Sequence, residues 1–421
     1  MLSVLHISAW DNFGGSGRAA HRVHLGLKRL GVRSRMLVGW KAARGDADGD
    51  VDLLGRGMRF ADRLCNRVTD RLGFQYLAAP SSVLLPYQRW VQDADVIQLY
   101  NTHGGYFSHT VLPALSRRRP VVWRLSDMWP MTGHCIYSYG CDRWKTGCGE
   151  CPILGDYPSL RRDTTALLWR IKRRVYQRSR LTIVAPSRWM AGLAAQSPLL
   201  NQFPIHVIPN GFDTDVFHPI PKPLARAELG IEGAARVLMF SAHFVSDRRK
   251  GGVVFAQALA RLSEAERGGL ELLVIGQGAD QWEAPPLVRV RRLGAISDDR
   301  RLATAYAAAD LFVLPALADN LPNGILESMA CGTPVLSCGV GGIAEAVRHR
   351  ETGYLAAPED QEDLANGLRW LLHDGALRER MGRQARAVVE RDHTLKTQAT
   401  RFLELYQRLM DQPRASALSQ P

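Results

Sequence analysis

Short apolar runs alternate along this chain with segments whose apolar residues recur at helical spacing. Residues 2–9 (LSVLHISA), 35–39, 96–99, 121–125 and 182–185 read as buried strands, and a Gly-rich turn after the first leads into a helix over 18–30. Apolar strands separated by helices predict a parallel, doubly wound α/β sheet. The series restarts near residue 205. IHVIPNG reads as a strand and turn, and a Pro-rich hinge runs to residue 219. New strands are expected at 237–241, 271–275, 288–291, 311–314 and 334–337, then two helices over 363–390 and a long one over 394–411. At 421 residues the chain exceeds one ordinary core, so two α/β domains are expected.

No run approaches the ~20 apolar residues of a spanning helix. The N-terminus enters a strand at once, without a basic region and cleavage site, which predicts a cytoplasmic chain. Charge is uneven: residues 1–210 carry 29 Lys/Arg against 14 Asp/Glu, a net +15, and the remainder is −2. The first half is suited to an anionic partner, such as a phosphate-bearing acceptor, a membrane or nucleic acid, or is simply Arg-rich on its surface.

The segment 309–345, ADLFVLPALADNLPNGILESMACGTPVLSCGVGGIAE, is the most informative. Asp319 lies in the loop after the strand 311–314. Glu327 lies about one turn into the helix that residues 321–324 open. Both then face the carboxyl end of a parallel sheet, where such folds bind ligands. The helix N-terminus offers N–H groups to a diphosphate, and carboxylates accept hydrogen bonds from sugar hydroxyls. A second loop, SAHFVSDRRKGG at 241–252, sets Arg248, Arg249 and Lys250 before a helix, a pattern suited to phosphate or to a solvated turn.

These segments resemble family 4 glycosyltransferases, retaining enzymes of GT-B architecture, in which two Rossmann-like doubly wound domains face each other across a cleft. The family's E-x7-E signature appears as D-x7-E at Asp319 and Glu327, followed by ESMACGTPVL and by the G-G-x-x-E turn at Gly341, Gly342 and Glu345. The resemblance implies that Asp319 contacts the donor sugar and Glu327 the ribose. Donor contacts are also expected from Gly15, Arg249, Lys250, Asn320, Leu321, Asn323 and Gly324. Ala242-His243-Phe244 replaces the family's usual G-R-L, so Arg249 is assigned the missing phosphate arginine and Lys250 the main charge on the leaving diphosphate.

In the first half, Gly14, Gly15 and Gly17 form a loop without the G-x-G-x-x-G spacing of a dinucleotide fold. Many relatives read L-H-D-M-W where this chain reads L-S-D-M-W at 125–129. Ser126 thus replaces a histidine; His103, assigned a catalytic role, and His134 are the candidates to act in its place, and either can equally be a structural or surface residue. Asp127 and His134 are assigned with Ser126 to the acceptor side. Cys135, Cys141, Cys148 and Cys151 fall within seventeen residues. The readings are a structural zinc site, one or two disulfides, or reduced thiols. The Arg-rich helix 167–180 either packs its Leu168, Ile171 and Val175 inward or rests on anionic lipid.

The expected organisation is an acceptor domain at 1–208 with the four-Cys insertion 135–151, and a nucleotide-sugar donor domain at 209–393. A helix at 394–412 crosses back, and a disordered tail occupies 413–421. The function implied by the resemblance is sugar transfer from a UDP- or GDP-sugar to a saccharide or polyprenyl-linked saccharide, in exopolysaccharide, colanic-acid-type or lipopolysaccharide assembly. No cofactor is required for the chemistry, and peripheral contact with the inner face of a membrane is allowed. The rivals are a sugar-nucleotide epimerase of the same fold and a zinc-knuckle nucleic-acid-binding protein.

Overall fold

The computed structural model describes residues 1–42, 49–232 and 235–412. The tail expected at 413–421 lies outside the described residues. Among the described residues, thirteen strands form two parallel sheets. The first contains β1 (Ser3–Trp10), β2 (Arg33–Trp40), β3 (Val51–Leu53), β4 (Val96–Leu99), β5 (Val121–Arg124), β6 (Leu181–Ala185) and β7 (Ile205–Val207), in the order β3-β2-β1-β4-β5-β6-β7. The second contains β8 (Arg236–Phe244), β9 (Leu270–Gln277), β10 (Arg289–Gly294), β11 (Leu311–Leu314), β12 (Val335–Cys338) and β13 (Gly353–Ala356), in the order β10-β9-β8-β11-β12-β13. Both orders reverse beside the first strand of the sheet, which is the doubly wound plan, and the reversal opens a crevice at the carboxyl ends of the flanking strands.

Helices cover the first sheet: α1 (Gly14–Arg29), α2 (Arg59–Arg71), α3 (Pro80–Leu84), α4 (Arg89–Asp93), α5 (Leu112–Arg118), α6 (Thr165–Gln177) and α7 (Arg188–Gln196). Around the second lie α8 (Lys222–Glu228), α9 (Gly252–Ala260), α10 (Glu264–Arg267), α11 (Asp299–Ala308), α12 (Asn323–Ala330), α13 (Ile343–Ala346), α14 (Gln361–His373) and α15 (Gly375–Asp392). The last helix, α16 (Leu395–Asp411), buries Phe402, Leu405 and Tyr406 in one core cluster with Val4, Val23 and Val38 of the first domain. Its Tyr406 hydroxyl donates to Gln98 Oε1 of β4 at 2.8 Å.

Two local expectations change. The Gly-rich turn is absorbed into α1, which begins at Gly14 rather than at residue 18. The strand at 205 does not open the second series, because β7 pairs with β6 and closes the first sheet. Three residues are too few for periodicity to assign the strand to either unit; only pairing does so. The Arg-rich helix α6 buries Leu168, Trp169, Lys172 and Tyr176, with Val175 packed at the core margin. No helix of the described residues is long and apolar enough to cross a membrane.

Candidate active site

The second sheet reverses between β8 and β11, and the loops after these two strands bring Arg249, Lys250 and Asp319 together. After β8, Asp247 accepts a hydrogen bond from the Arg249 N–H at 3.0 Å and shapes the turn. Gly251 then takes φ 73°, and a Cβ there would lie 1.9 Å from the Pro315 carbonyl oxygen. Glycine is therefore what lets the basic loop reach the loop after β11. There Asp319 is buried. Its Oδ2 accepts from Arg249 Nη1 at 3.0 Å and from Lys250 Nζ. Burial works to raise the Asp319 pKa, but the Lys250 and Arg249 charges outweigh it, so the carboxyl lies below its ordinary value.

The remaining Asp319 oxygen meets the opposite domain. The Tyr137 hydroxyl donates to Oδ1 at 3.3 Å and accepts from the Asn320 N–H at 3.1 Å. The Arg249 guanidinium lies over the Tyr137 ring at 5.0 Å. Asn320 Oδ1 accepts from the Ser187 hydroxyl at 2.6 Å, while Asn320 Nδ2 is buried with no protein partner. The turn at Gly341 and Gly342 underlies this loop: Gly342 N–H donates to Asn320 O at 2.6 Å, and a Cβ on Gly341, at φ 60°, would strike Asp319 O. Glu345 is occupied elsewhere, accepting the N–H groups of Arg188 and Trp189 at the start of α7.

Glu327 lies on α12, fully within the protein. Its Oε1 accepts from Arg22 Nη2 at 2.8 Å, and its Oε2 from the Tyr306 hydroxyl at 3.1 Å. Arg22 comes from α1 of the first domain, lies 4.3 Å over the Phe212 ring, and keeps a buried Nη1 without a partner. One turn earlier, Arg18 bonds Asp299 Oδ1 at 2.9 Å and the Ile296 carbonyl at 2.8 Å. Asn323, the first residue of α12, donates to the Gly15 carbonyl at 3.0 Å. Leu321 is buried beside it. Gly324 faces Tyr306 and Phe312, both within 3.1 Å of an added Cβ, so its small size serves packing.

The first domain brings its own strand ends to the cleft. His103, after β4, donates from Nε2 to Asp127 Oδ2 at 3.0 Å, and Asp127 Oδ1 accepts the Trp129 N–H. The Ser126 hydroxyl lies 2.9 Å from that of Ser16. His134 is fixed more deeply: Nδ1 donates to the Pro158 carbonyl at 3.0 Å, and Nε2 stands 3.2 Å from Cys151 Sγ. Both nitrogens are thus engaged, leaving neither for an acceptor.

Cys135, Cys141, Cys148 and Cys151 line one small cavity of about 20 Å³. All are free thiols, and among the described residues no group of three or more His, Cys, Asp or Glu is placed to hold a metal ion. The zinc expectation therefore finds no support. Burial pushes the Cys135 thiol up to about 12 and the Cys148 thiol up to about 11.

Residues 13–216 match the family described as Glycosyltransferase Family 4, and residues 235–374 the one described as Glycosyl transferases group 1. The chain belongs to glycosyltransferase family 4. Curated relatives of this family 4 chain include a D-inositol 3-phosphate glycosyltransferase of Segniliparus rotundus, 32% identical over 190 residues, covering 42% of each chain. Another is the putative colanic acid biosynthesis glycosyl transferase WcaC of Escherichia coli, 27% identical over 223 residues, covering 52% of this chain and 51% of the relative. The matches thus span about half or less of these relatives' lengths. Solved structures share the whole fold. Sucrose-phosphate synthase of Thermosynechococcus elongatus superposes with TM-score 0.68 at 18% identity, covering 97% of this chain and 99% of that one. Anabaena HepE with UDP-glucose gives 0.65 at 17% identity, covering 97% and 100%. The architecture is GT-B.

Tyr137, Arg18 and Arg22 were not among the residues expected from sequence. The two arginines carry a signal, since a spacing of four sets both on one face of α1. Tyr137 carries none: it sits in CIYSYGC without periodicity or a motif.

Proposed function

We propose that this chain transfers a sugar from a nucleoside-diphosphate sugar, with UDP or GDP as carrier, to a saccharide or lipid-linked saccharide in polysaccharide assembly, with retention at the anomeric carbon. The observation that carries the reading is the buried Asp319 set against Lys250 and Arg249 at the reversal point of the second sheet. Asp319 and the buried, unpartnered Asn320 Nδ2 take the donor sugar's hydroxyls, and Glu327 takes the ribose. Lys250, Arg249 and the N–H groups of Asn323 and Gly324 stabilise the diphosphate as the anomeric C–O bond breaks. The Gly15 backbone borders the phosphates from across the cleft. The acceptor hydroxyl oxygen bonds the same face of the carbon, and its proton leaves with the departing phosphate. His103, oriented by Asp127, and Ser126 line the acceptor side. HepE, solved with UDP-glucose, and the colanic acid relative support the donor and pathway classes.

The test pairs turnover with melting curves over a panel of nucleoside diphosphates and their sugars. Glu327→Ala should abolish transfer and weaken stabilisation by the nucleoside diphosphate. Asp319→Ala should abolish transfer while retaining that stabilisation. Near-normal transfer by both variants would overturn the site, and conversion of a sugar nucleotide without acceptor would favour epimerisation instead.

A further inference from the structure

Helix α2 faces the wrong way for an ordinary amphipathic helix. Its only buried side chains are polar, Asp62 and Asn66, while Phe60, Leu64 and Val68 are 78%, 52% and 51% exposed. These three lie four residues apart, forming one stripe along the helix. Arg63, Arg67 and Arg71 form a parallel exposed row beside them. The inward polar contacts fix this orientation. Asp62 Oδ1 accepts the Ser81 N–H of α3 at 2.9 Å, and Asn66 Nδ2 donates to the Gly105 carbonyl at 2.7 Å. Through the first contact, α3 adds exposed Val83 and Leu84, with Tyr87 just beyond. Through the second, the helix is tied to the loop that carries His103.

We propose that the outer face of α2 and α3 docks the first domain onto an anionic lipid bilayer. An apolar stripe flanked by arginines is the arrangement of a helix lying in a membrane interface, with side chains among the acyl chains and guanidinium groups at the phosphates. Charge complementarity favours lipid over a second copy of the chain, because a two-fold pair would bring two arginine rows into one contact. The face belongs to the half of the chain with a net charge of +15. Of the two sequence readings of the Arg-rich helix α6, packing inward or resting on lipid, the structure favours the first, with Leu168 and Trp169 in the core. The docking stands independently of the transfer reading. Its use, bringing the cleft to a lipid-linked acceptor, rests on that reading.

The experiment is co-sedimentation of the full chain, without donor, on vesicles of equal parts phosphatidylethanolamine and phosphatidylglycerol, beside vesicles of phosphatidylcholine. Wild type should bind the anionic vesicles and not the neutral ones. Phe60→Ser, Leu64→Ser and Val68→Ser combined should weaken binding about a hundredfold. Arg63→Gln, Arg67→Gln and Arg71→Gln combined should weaken it about fivefold per arginine and remove most of its salt dependence. Both variants should melt as wild type does and transfer to a soluble acceptor at its rate. Failure of that transfer in wild type would sink the enzymatic reading alone. Wild-type binding that is absent, or unchanged in both variants, overturns the docking. So does a wild-type dimer, formed without vesicles, that the serine variant converts to monomer.

Discussion

Asp319 and Glu327 belong to one signature, yet their charges are answered from different places. Asp319 is held by Lys250 and Arg249 of its own domain, with one hydroxyl contributed from across the cleft. Glu327 depends on Arg22, a residue of the other domain. The surroundings of Asp319 are therefore built largely within the second domain, whereas those of Glu327, the proposed ribose end, are completed only when the two domains meet. The same asymmetry runs through the charge distribution. Arginines of the first domain reach across to Asp299, Glu327 and Asp213, whereas Asp310 of the second pairs with Lys222 and Arg226 of its own domain.

The largest test of this contrast is Arg22→Met. It leaves Glu327 buried without its cation, and breaking such a pair costs about 3–5 kcal/mol. A urea titration should show that loss. A cost under about 1 kcal/mol would mean that the domains part and Glu327 reaches water, so that the ribose end does not hold the cleft closed. Lys250→Ala attacks the other end. The ammonium contributes more as the leaving diphosphate gains charge, so turnover at saturating acceptor should fall about 100- to 1000-fold. Lys250→Arg should rescue it partly, because a planar fork is not a point charge. Equal rates for Ala and wild type would move the phosphate site elsewhere.

Tyr137→Phe asks how independent the sugar end is. The ring stays over Arg249 and only the hydroxyl between Asp319 and Asn320 is lost. The donor KM should rise about tenfold, with acceptor KM unmoved, as expected for one hydrogen bond to a charged group. An unchanged donor KM would make Asp319 wholly a property of its own domain. The smallest effect is expected for Arg29→Ala. Its pair with Asp213 also crosses between the domains, at 2.6 Å, but Arg29 is 60% exposed. Stability should change by about 0–1 kcal/mol, and only at low salt. A larger loss would show that the domains are held by surface charge rather than by the buried Arg22 contact.

The parallel plan was legible because it is written in local periodicity. Apolar runs of strand length, such as FVL before the Asp319 loop, must be covered on both faces, and each helix between them carries its own apolar stripe. The D-x7-E spacing likewise determined that both acids stand near the start of one helix, since a loop and a helical turn fix that geometry without distant help. Tertiary structure decided the rest. Tyr137 reaches Asp319 across 182 positions, and Arg22 reaches Glu327 across 305; no short-range pattern encodes either, because each contact exists only after two domains have folded and met. The four cysteines were close in sequence, and all four are free thiols around one small cavity, which sequence spacing does not report. Which way α2 turns its faces was likewise a tertiary outcome. Two hydrogen bonds, from Asp62 and Asn66, turned the polar side inward and left the apolar stripe outside.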